Sequence, residues 1–424
     1  MTHMSTTTEI LKELKKCNFR VSTDTRKDVS GTIYFALKGD SFDGNNYIRS
    51  AIKNGAIFAV SDKPENKNEK VFIVDNVLKT LQEIAKEYRK LFKIPVIVIG
   101  GSNGKTTSKD LLVRVLDTKY KTHSTVGSLN NHLGVPLSIL EMNKKTEIAV
   151  FEIGANHPME HTDLLNIINP TFVVVTNNGM DHLEGFGSPQ GVRKANKEIY
   201  DWAKLNKAKV FVNKKHKDLL KDSSGNKCIK YPTIDIKASN SSPIELSSGK
   251  IVFKTHLNGS YNLENIELAV CIGKYFKISK IKAFQAISKY IPSSKRSEFR
   301  TVNNIDFIVD CYNANPTSMK LSIQSFIKST KGLKGMVIGD MLEMGIYSDA
   351  EHKKIIDLVK RQKIDSLIFI GKNFKKALKN FNLKYKWFPN SDLAKVWFKK
   401  QKFDGYTFLL KGSRGIKVEK ILEL

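Results

Sequence analysis

Apolar positions along this chain come in short blocks rather than long ones. Residues 33–37 (Ile-Tyr-Phe-Ala-Leu), 57–60 and 71–74 predict strands near the start, and 48–54 predicts a helix stopped by Gly55. The polar run 61–70 between them reads as a surface loop, and 78–92 as an amphipathic helix ending before Pro95. A wholly apolar strand follows at 96–99, then a glycine-rich turn and a helix over 106–116. Further apolar strands are predicted at 148–153 and 172–176, with a helix over 162–168 between them. Strand–turn–helix alternation of this kind belongs to parallel sheets, whose strands are buried on both faces. The polar stretch 221–248 interrupts the pattern, and helices over 262–275 and 281–290 then lead to Pro292. Beyond it, blocks at 305–309, 335–338, 366–370 and 406–410 with helical segments between them predict a Rossmann-like unit.

This pattern divides the chain into three α/β domains: 1–94, a central part 95–296 with a mostly parallel sheet, and a Rossmann-like part 297–424. A length of 424 residues suits more than one core. No apolar run reaches the length of a membrane span. The start, MTHMSTTTEILKELKK, lacks the pattern of a secretory signal, so the expected address is cytoplasmic. Four widely spaced cysteines, with no CxxC pair, read as reduced thiols and supply no zinc site.

Charge changes the picture only partly. Lys and Arg total 70 against 42 Asp and Glu, a net charge of +28. Such an excess often marks a nucleic-acid binder. Here only ten of the 70 are arginine, and the lysines are spread over the whole length without aromatic clusters. No nucleic-acid partner is therefore expected; the coat is suited to attracting small anions.

The chemistry gathers where predicted strands end. Gly101-Ser102-Asn103-Gly104-Lys105-Thr106-Thr107 leaves a buried strand and opens a helix, the context a phosphate loop needs. Its backbone N–H groups and the helix N-terminus would face phosphate oxygens, Lys105 would neutralise the β- and γ-phosphates, and the Thr106 hydroxyl would reach Mg²⁺. The loop is shorter than the usual form, whose first glycine would fall on Ile99. Glu152 closes the strand 148–153 and suits a magnesium ligand; the alternative is an acid facing water. The cluster 176–185 follows the strand 172–176, and its His182 could meet metal, phosphate or only solvent. Asp310-Cys311-Tyr312-Asn313-Ala314-Asn315-Pro316 and Gly339-Asp340-Met341-Leu342-Glu343-Met344-Gly345 follow later strands, where Asp and Asn serve equally as caps and turn formers. Arg296 at a domain junction could reach a γ-phosphate, and Arg414 in Lys411-Gly412-Ser413-Arg414-Gly415 could clamp a carboxylate.

Taken in order, these strings resemble the Mur ligase family. The resemblance begins with Ser22-Thr23-Asp24-Thr25-Arg26 and Phe42-Asp43-Gly44 and continues through the phosphate loop and Leu129-Asn130-Asn131-His132-Leu133-Gly134. It extends through Glu152–His157, Tyr261-Asn262-Leu263-Glu264-Asn265, the YNANP and GDMLEMG strings and the 411–415 turn. It implies a three-domain ATP-dependent amide ligase of peptidoglycan precursor synthesis. Such an enzyme phosphorylates the carboxylate of UDP-N-acetylmuramoyl-tripeptide, and the amine of D-alanyl-D-alanine attacks the acyl phosphate. By the same resemblance the N-terminal domain, with Thr25 and Arg26, binds the UDP substrate, and Asn130 and Asn131 touch its sugar. Asn265 binds adenine, Asp310 the ribose, and Lys105 and Arg296 the γ-phosphoryl; Asn313 and Arg414 lie near the peptides. Thr106 and Glu152 hold one Mg²⁺ and His182 serves a second, and the protein is a monomer. One departure stands out. Asn196 occupies the position where the family often carries a carbamylated lysine, leaving Lys194, Lys197 or Glu198 as stand-ins, and Met180-Asp181 precede His182 in place of the more usual Lys-Ala. Competing readings are a folylpolyglutamate-synthetase-like ligase, against which the YNANP string counts, a nucleic-acid-stimulated ATPase, and a non-catalytic scaffold.

Overall fold

The structure is a computed structural model, which describes residues 3–233, 236–238, 243–379 and 381–423. Part of the polar stretch 221–248, namely 234–235 and 239–242, therefore lies outside the described residues. The chain forms two compact units, one of residues 1–98, 121–154 and 160–171 and one of residues 99–120, 155–159 and 172–424.

In the first unit, β1 (Val21–Ser22), β2 (Ile33–Phe35), β3 (Phe58–Ser61) and β4 (Val71–Ile73) form a parallel sheet in that order. The helix Val77–Arg89 lays Leu81, Ile84, Ala85 and Tyr88 into the core, its start capped by Asn76 accepting from the Lys79 N–H. The same unit holds the opening residues of β5 (Val96–Gly100), together with β6 (Thr122–Ser124) and β7 (Ile148–Glu152), which pair in parallel. All five residues of β5 and all five of β7 are buried, as strands covered on both faces require.

The second unit carries the end of β5, the helix Lys105–Leu116, and β8 (Phe172–Val175), β9 (Lys209–Asn213) and β10 (Lys227–Tyr231), paired in parallel in the order β10-β9-β8. The stretch 221–248 is thus no interruption, which corrects the sequence expectation: Lys227–Tyr231 extends the sheet, and Glu245–Ser248 and Ile251–Lys254 form part of a small antiparallel sheet. Its lysines stand at the exposed positions of Lys-Cys-Ile-Lys-Tyr, an edge-strand pattern that hides the apolar signal.

A second sheet in this unit has the order β11-β12-β16-β13-β14-β15, from β11 (Glu298–Val302), β12 (Ile305–Asp310), β13 (Leu333–Gly339), β14 (Ser366–Ile370), β15 (Lys386–Phe388) and β16 (Tyr406–Lys411). Only the β11–β12 pair is antiparallel among the registers described. One apolar core of this part includes Leu183 and Val192 beside Met336, Met341, Met344 and Ile356, so the segment after β8 packs into the C-terminal core. The α/β class and mostly parallel sheets agree with the sequence reading. No helix among the described residues is long and apolar enough to cross a membrane.

Candidate functional site

The phosphate loop forms as its glycines dictate. Gly101 has φ +109° and Gly104 φ +80°, backbone that β-carbon-bearing residues rarely adopt. A Cβ on Gly101 would lie 2.4 Å from Thr176 Oγ1, and one on Gly104 2.5 Å from Asn265 Oδ1. The loop therefore tucks between the end of β8 and the helix Asn262–Tyr275. Gly104 is the N-cap of the helix Lys105–Leu116 and has no side chain to accept from the first helical N–H groups, the donors that suit an anion. Lys105 Nζ donates to the Gly101 carbonyl at 2.5 Å and the Ser102 carbonyl at 3.2 Å, so its ammonium lies over the loop. Thr106 is buried in the first turn beside it.

Asn265 is tied into this scaffold by one bond at each end of its amide. Its Nδ2 donates to Asn262 Oδ1 at 2.8 Å and its Oδ1 accepts from Ser108 Oγ at 2.9 Å. Asn103 is gripped by the loop after β8: Asn177 Oδ1 accepts from the Asn103 N–H at 3.2 Å, and Asn177 Nδ2 donates to the Asn103 carbonyl at 3.0 Å. Asn196, the departure from the family pattern, is buried and donates to Asn178 Oδ1 at 3.0 Å. The possible stand-ins are engaged elsewhere or exposed: Lys197 pairs with Asp201, Glu198 Oε1 accepts from the Met159 N–H at 2.8 Å, and Lys194 is exposed.

The C-terminal loops bring their own groups to the second unit. His182, at φ +46°, donates from Nδ1 to Glu343 Oε2 at 2.6 Å, and the Glu184 N–H reaches the Glu343 carbonyl at 3.0 Å. The bond from His182 holds the Glu343 carboxyl below its usual range. Next to His182, Asp181 is 8 % exposed, and its Oδ1 is buried with no hydrogen-bond partner among the described residues. Arg296 lies with its guanidinium 3.7 Å from the Tyr312 ring centroid, and Arg414 at 5.6 Å from the same ring. Asp310 pairs with the buried Lys411 ammonium at 3.0 Å, and Lys411 also donates to the Asn313 carbonyl at 3.1 Å. Asn313 Oδ1 accepts from the Ala314 N–H at 2.9 Å. Ser413 ties the loops together, its Oγ accepting from the Leu342 N–H at 2.9 Å and donating to the Ala314 carbonyl at 3.2 Å.

In the first unit, Glu152 is 1 % exposed. Asn130 Nδ2 donates to its Oε1 at 2.7 Å, and the Thr125 hydroxyl accepts from its N–H at 3.1 Å. Its Oε2 is buried without a hydrogen-bond partner among the described residues. A buried, half-satisfied carboxylate is costly in isolation and suits a bound cation. Asn131 caps the following turn, its Oδ1 accepting from the Gly134 N–H at 2.9 Å. Thr25 and Arg26 lie in a loop where Arg26 grips Asp24 through two contacts of 2.8 and 2.9 Å, and the guanidinium holds the Asp24 carboxyl down at about 2. Tyr34 donates to the Gly44 carbonyl at 3.1 Å, and burial pushes its hydroxyl up to about 12.

The structure thus places Lys105, Thr106, Asn103 and Asn265 in one constellation and His182 in another with Glu343. Asn130 and Asn131 contact protein atoms, the first on Glu152. Sequence reasoning passed over Asn177, Asn178, Glu343 and Asn315 as site residues. Their signal was position, since each stands in a loop that follows a strand.

Family models match almost the whole chain: "Mur ligase family, catalytic domain" at residues 20–98, "Mur ligase middle domain" at 99–273 and "Mur ligase, glutamate ligase domain" at 295–414. The UDP-N-acetylmuramoyl-tripeptide–D-alanyl-D-alanine ligase of Bacillus subtilis is 33 % identical over 426 residues, covering 95 % of this chain and 92 % of that one. A crystal structure of MurF from Acinetobacter baumannii superposes with a TM-score of 0.86 at 26 % identity, over 97 % of each chain. The MurF ligase of Thermotoga maritima, solved in complex with ADP, gives 0.83 at 25 % identity over 96 % of this chain and 97 % of that one.

Proposed function

This chain belongs to the Mur ligase family, and from that premise we propose that it joins D-alanyl-D-alanine to UDP-N-acetylmuramoyl-tripeptide with ATP, in cytoplasmic peptidoglycan precursor synthesis. The carrying observation is the loop 101–107: two left-handed glycines opening a helix N-terminus, with the Lys105 ammonium laid over it. A nucleoside triphosphate is the ligand that such a loop fits.

A carboxylate is a poor acylating agent. Its oxygen attacks the γ-phosphorus, the bond to the ADP oxygen breaks, and an acyl phosphate results. The amine of the dipeptide then attacks the acyl carbon, and inorganic phosphate leaves as the amide forms. In both steps the protein's work is to position reactants and neutralise charge. Lys105 and the N–H groups of the helix Lys105–Leu116 face the transferring phosphoryl group, joined by Arg296 at the end of the central part. Asp310 serves the ribose and Asn265 the adenine side. Asn313 and Arg414 face the peptide substrates, and Thr25 and Arg26 the uridine end. We assign 1–94 to the UDP substrate, 95–296 to ATP and 297–424 to completing the ligase site, with the protein acting as a monomer.

Taken one by one, the donors suit magnesium. In the first unit Glu152 offers a buried oxygen with no hydrogen-bond partner among the described residues; in the second, Thr106 offers a hydroxyl and His182 its Nε2, since Nδ1 is taken by Glu343. When bound, the metal neutralises the phosphate oxygens. Asn130 holds Glu152 by one oxygen so that the other stays free.

The test is phosphate release by the purified chain. Release requiring ATP, UDP-N-acetylmuramoyl-tripeptide and D-alanyl-D-alanine together is expected. Stimulation by DNA or RNA, with none by these substrates, refutes the assignment.

A further inference from the structure

The side chain of Asn315 faces two ways. As N-cap of the helix Pro316–Ser329, its Oδ1 accepts from the Ser318 N–H at 2.8 Å, while Ser318 Oγ accepts from the Asn315 N–H at 3.1 Å. This capping box fixes which end of the amide is which. Nδ2 must point away from the helix, and there it donates to Asn103 Oδ1 at 2.8 Å, across 212 residues of sequence. Asn103 is the third residue of the phosphate loop. With its Oδ1 taken, its Nδ2 turns toward Asn177 Oδ1, at 3.4 Å. Its backbone is held on the far side by both ends of the Asn177 amide. The fit is tight: a Cβ on Gly179 would lie 2.4 Å from Asn103 Nδ2. Asn315 is itself only 8 % exposed. The phosphate loop is therefore clamped between the loop after β8 and the cap of a C-terminal helix, through amides whose orientations determine one another.

We propose that Asn315 is a positioning residue for phosphoryl transfer, which sets the phosphate loop through Asn103 and so makes nucleotide binding depend on the C-terminal part being docked. The inference rests on the loop 101–107 binding ATP, as assigned above. The helix supplies the rigid platform, and the amide carries its position to the loop.

Serine separates the two duties of Asn315. It is an equally good N-cap but too short to reach Asn103. N315S should keep the wild-type melting temperature while kcat/KM for ATP falls about 3- to 10-fold, the loss expected of one hydrogen bond. ADP affinity, measured by calorimetry without the other substrates, should fall by a similar factor. N315A loses both duties and should show the same nucleotide defect with a lowered melting temperature. Combining N315S with N103A should give no further loss beyond N103A, since both remove one contact. Wild-type nucleotide parameters in N315S overturn the proposal, as does a melting defect in N315S equal to that of N315A with unchanged ADP affinity. Failure of the wild-type chain to bind ADP refutes the underlying nucleotide assignment instead, so the two failures are distinct.

Discussion

Lys105 is the residue on which most depends. Its ammonium is the cation laid over the phosphate loop, held among the described residues by two loop carbonyls. Lys105 is only half-buried, so in K105A the melting temperature should stay near wild type while ATP-dependent phosphate release falls about 100- to 1,000-fold, the scale of a lost charge stabiliser. Near-normal turnover would sink the mechanism. His123 gives a separate test at the same scale. Its Nε2 contacts the Ser138 carbonyl at 2.7 Å, so that nitrogen carries the proton, and burial pushes the imidazole pKa down. The unfolded chain then binds the proton more readily than the folded one, so stability is lost as pH falls through about 6.5, the ordinary histidine value. H123Q keeps a donor and cannot charge. Urea midpoints at pH 7 and pH 5.5 should converge more in H123Q than in wild type; equal acid losses in both would remove His123 from the account.

Elements show which motif residues build the site and which only support it. Asp340 of the GDMLEMG string is 1 % exposed and accepts from the Asn373 and Phe374 N–H groups, each at 2.9 Å, capping the helix Lys372–Leu378 from another strand's end. The residue before that helix, Gly371, has φ +116°, and a Cβ there would lie 2.3 Å from Asp340 Cγ. D340A leaves two helix N–H groups unpaired and should cost about 1–3 kcal/mol of stability. ADP affinity of the folded protein should be unchanged, which differential scanning and calorimetry can read side by side. Glu343, three residues on, is the opposite case, because it orients His182 directly. Much of this scale was legible in the sequence. Val96–Gly100, Ile148–Glu152 and Phe172–Val175 announce themselves as apolar blocks because both faces are covered, and the chemistry follows their ends. Lys227–Tyr231 was hidden because an edge strand keeps lysines on its open side. The pairs Asn315–Asn103 and His182–Glu343 were illegible for another reason. Asn315 and Glu343 stand far off in sequence from the residues they meet, and only the tertiary fold reveals which they are.

At the scale of the whole molecule the charge regains a use. The net +28 comes from a diffuse lysine coat, whereas the substrates differ sharply in charge. ATP and the UDP-linked precursor are polyanions, and D-alanyl-D-alanine is a zwitterion with no net charge at neutral pH. A field spread over the surface speeds the encounter of anions and leaves a neutral partner untouched. Raising NaCl from about 50 to about 300 mM shortens the screening length from about 14 Å to about 6 Å. Over that range kcat/KM for ATP and for the UDP substrate should fall severalfold, kcat should change little, and KM for the dipeptide should hold. The dipeptide is the internal control, since a general salt effect on folding or on the chemical step would move all three together. A kcat/KM for ATP indifferent to salt would mean that only the local groups, Lys105 and the helix end behind it, attract the nucleotide.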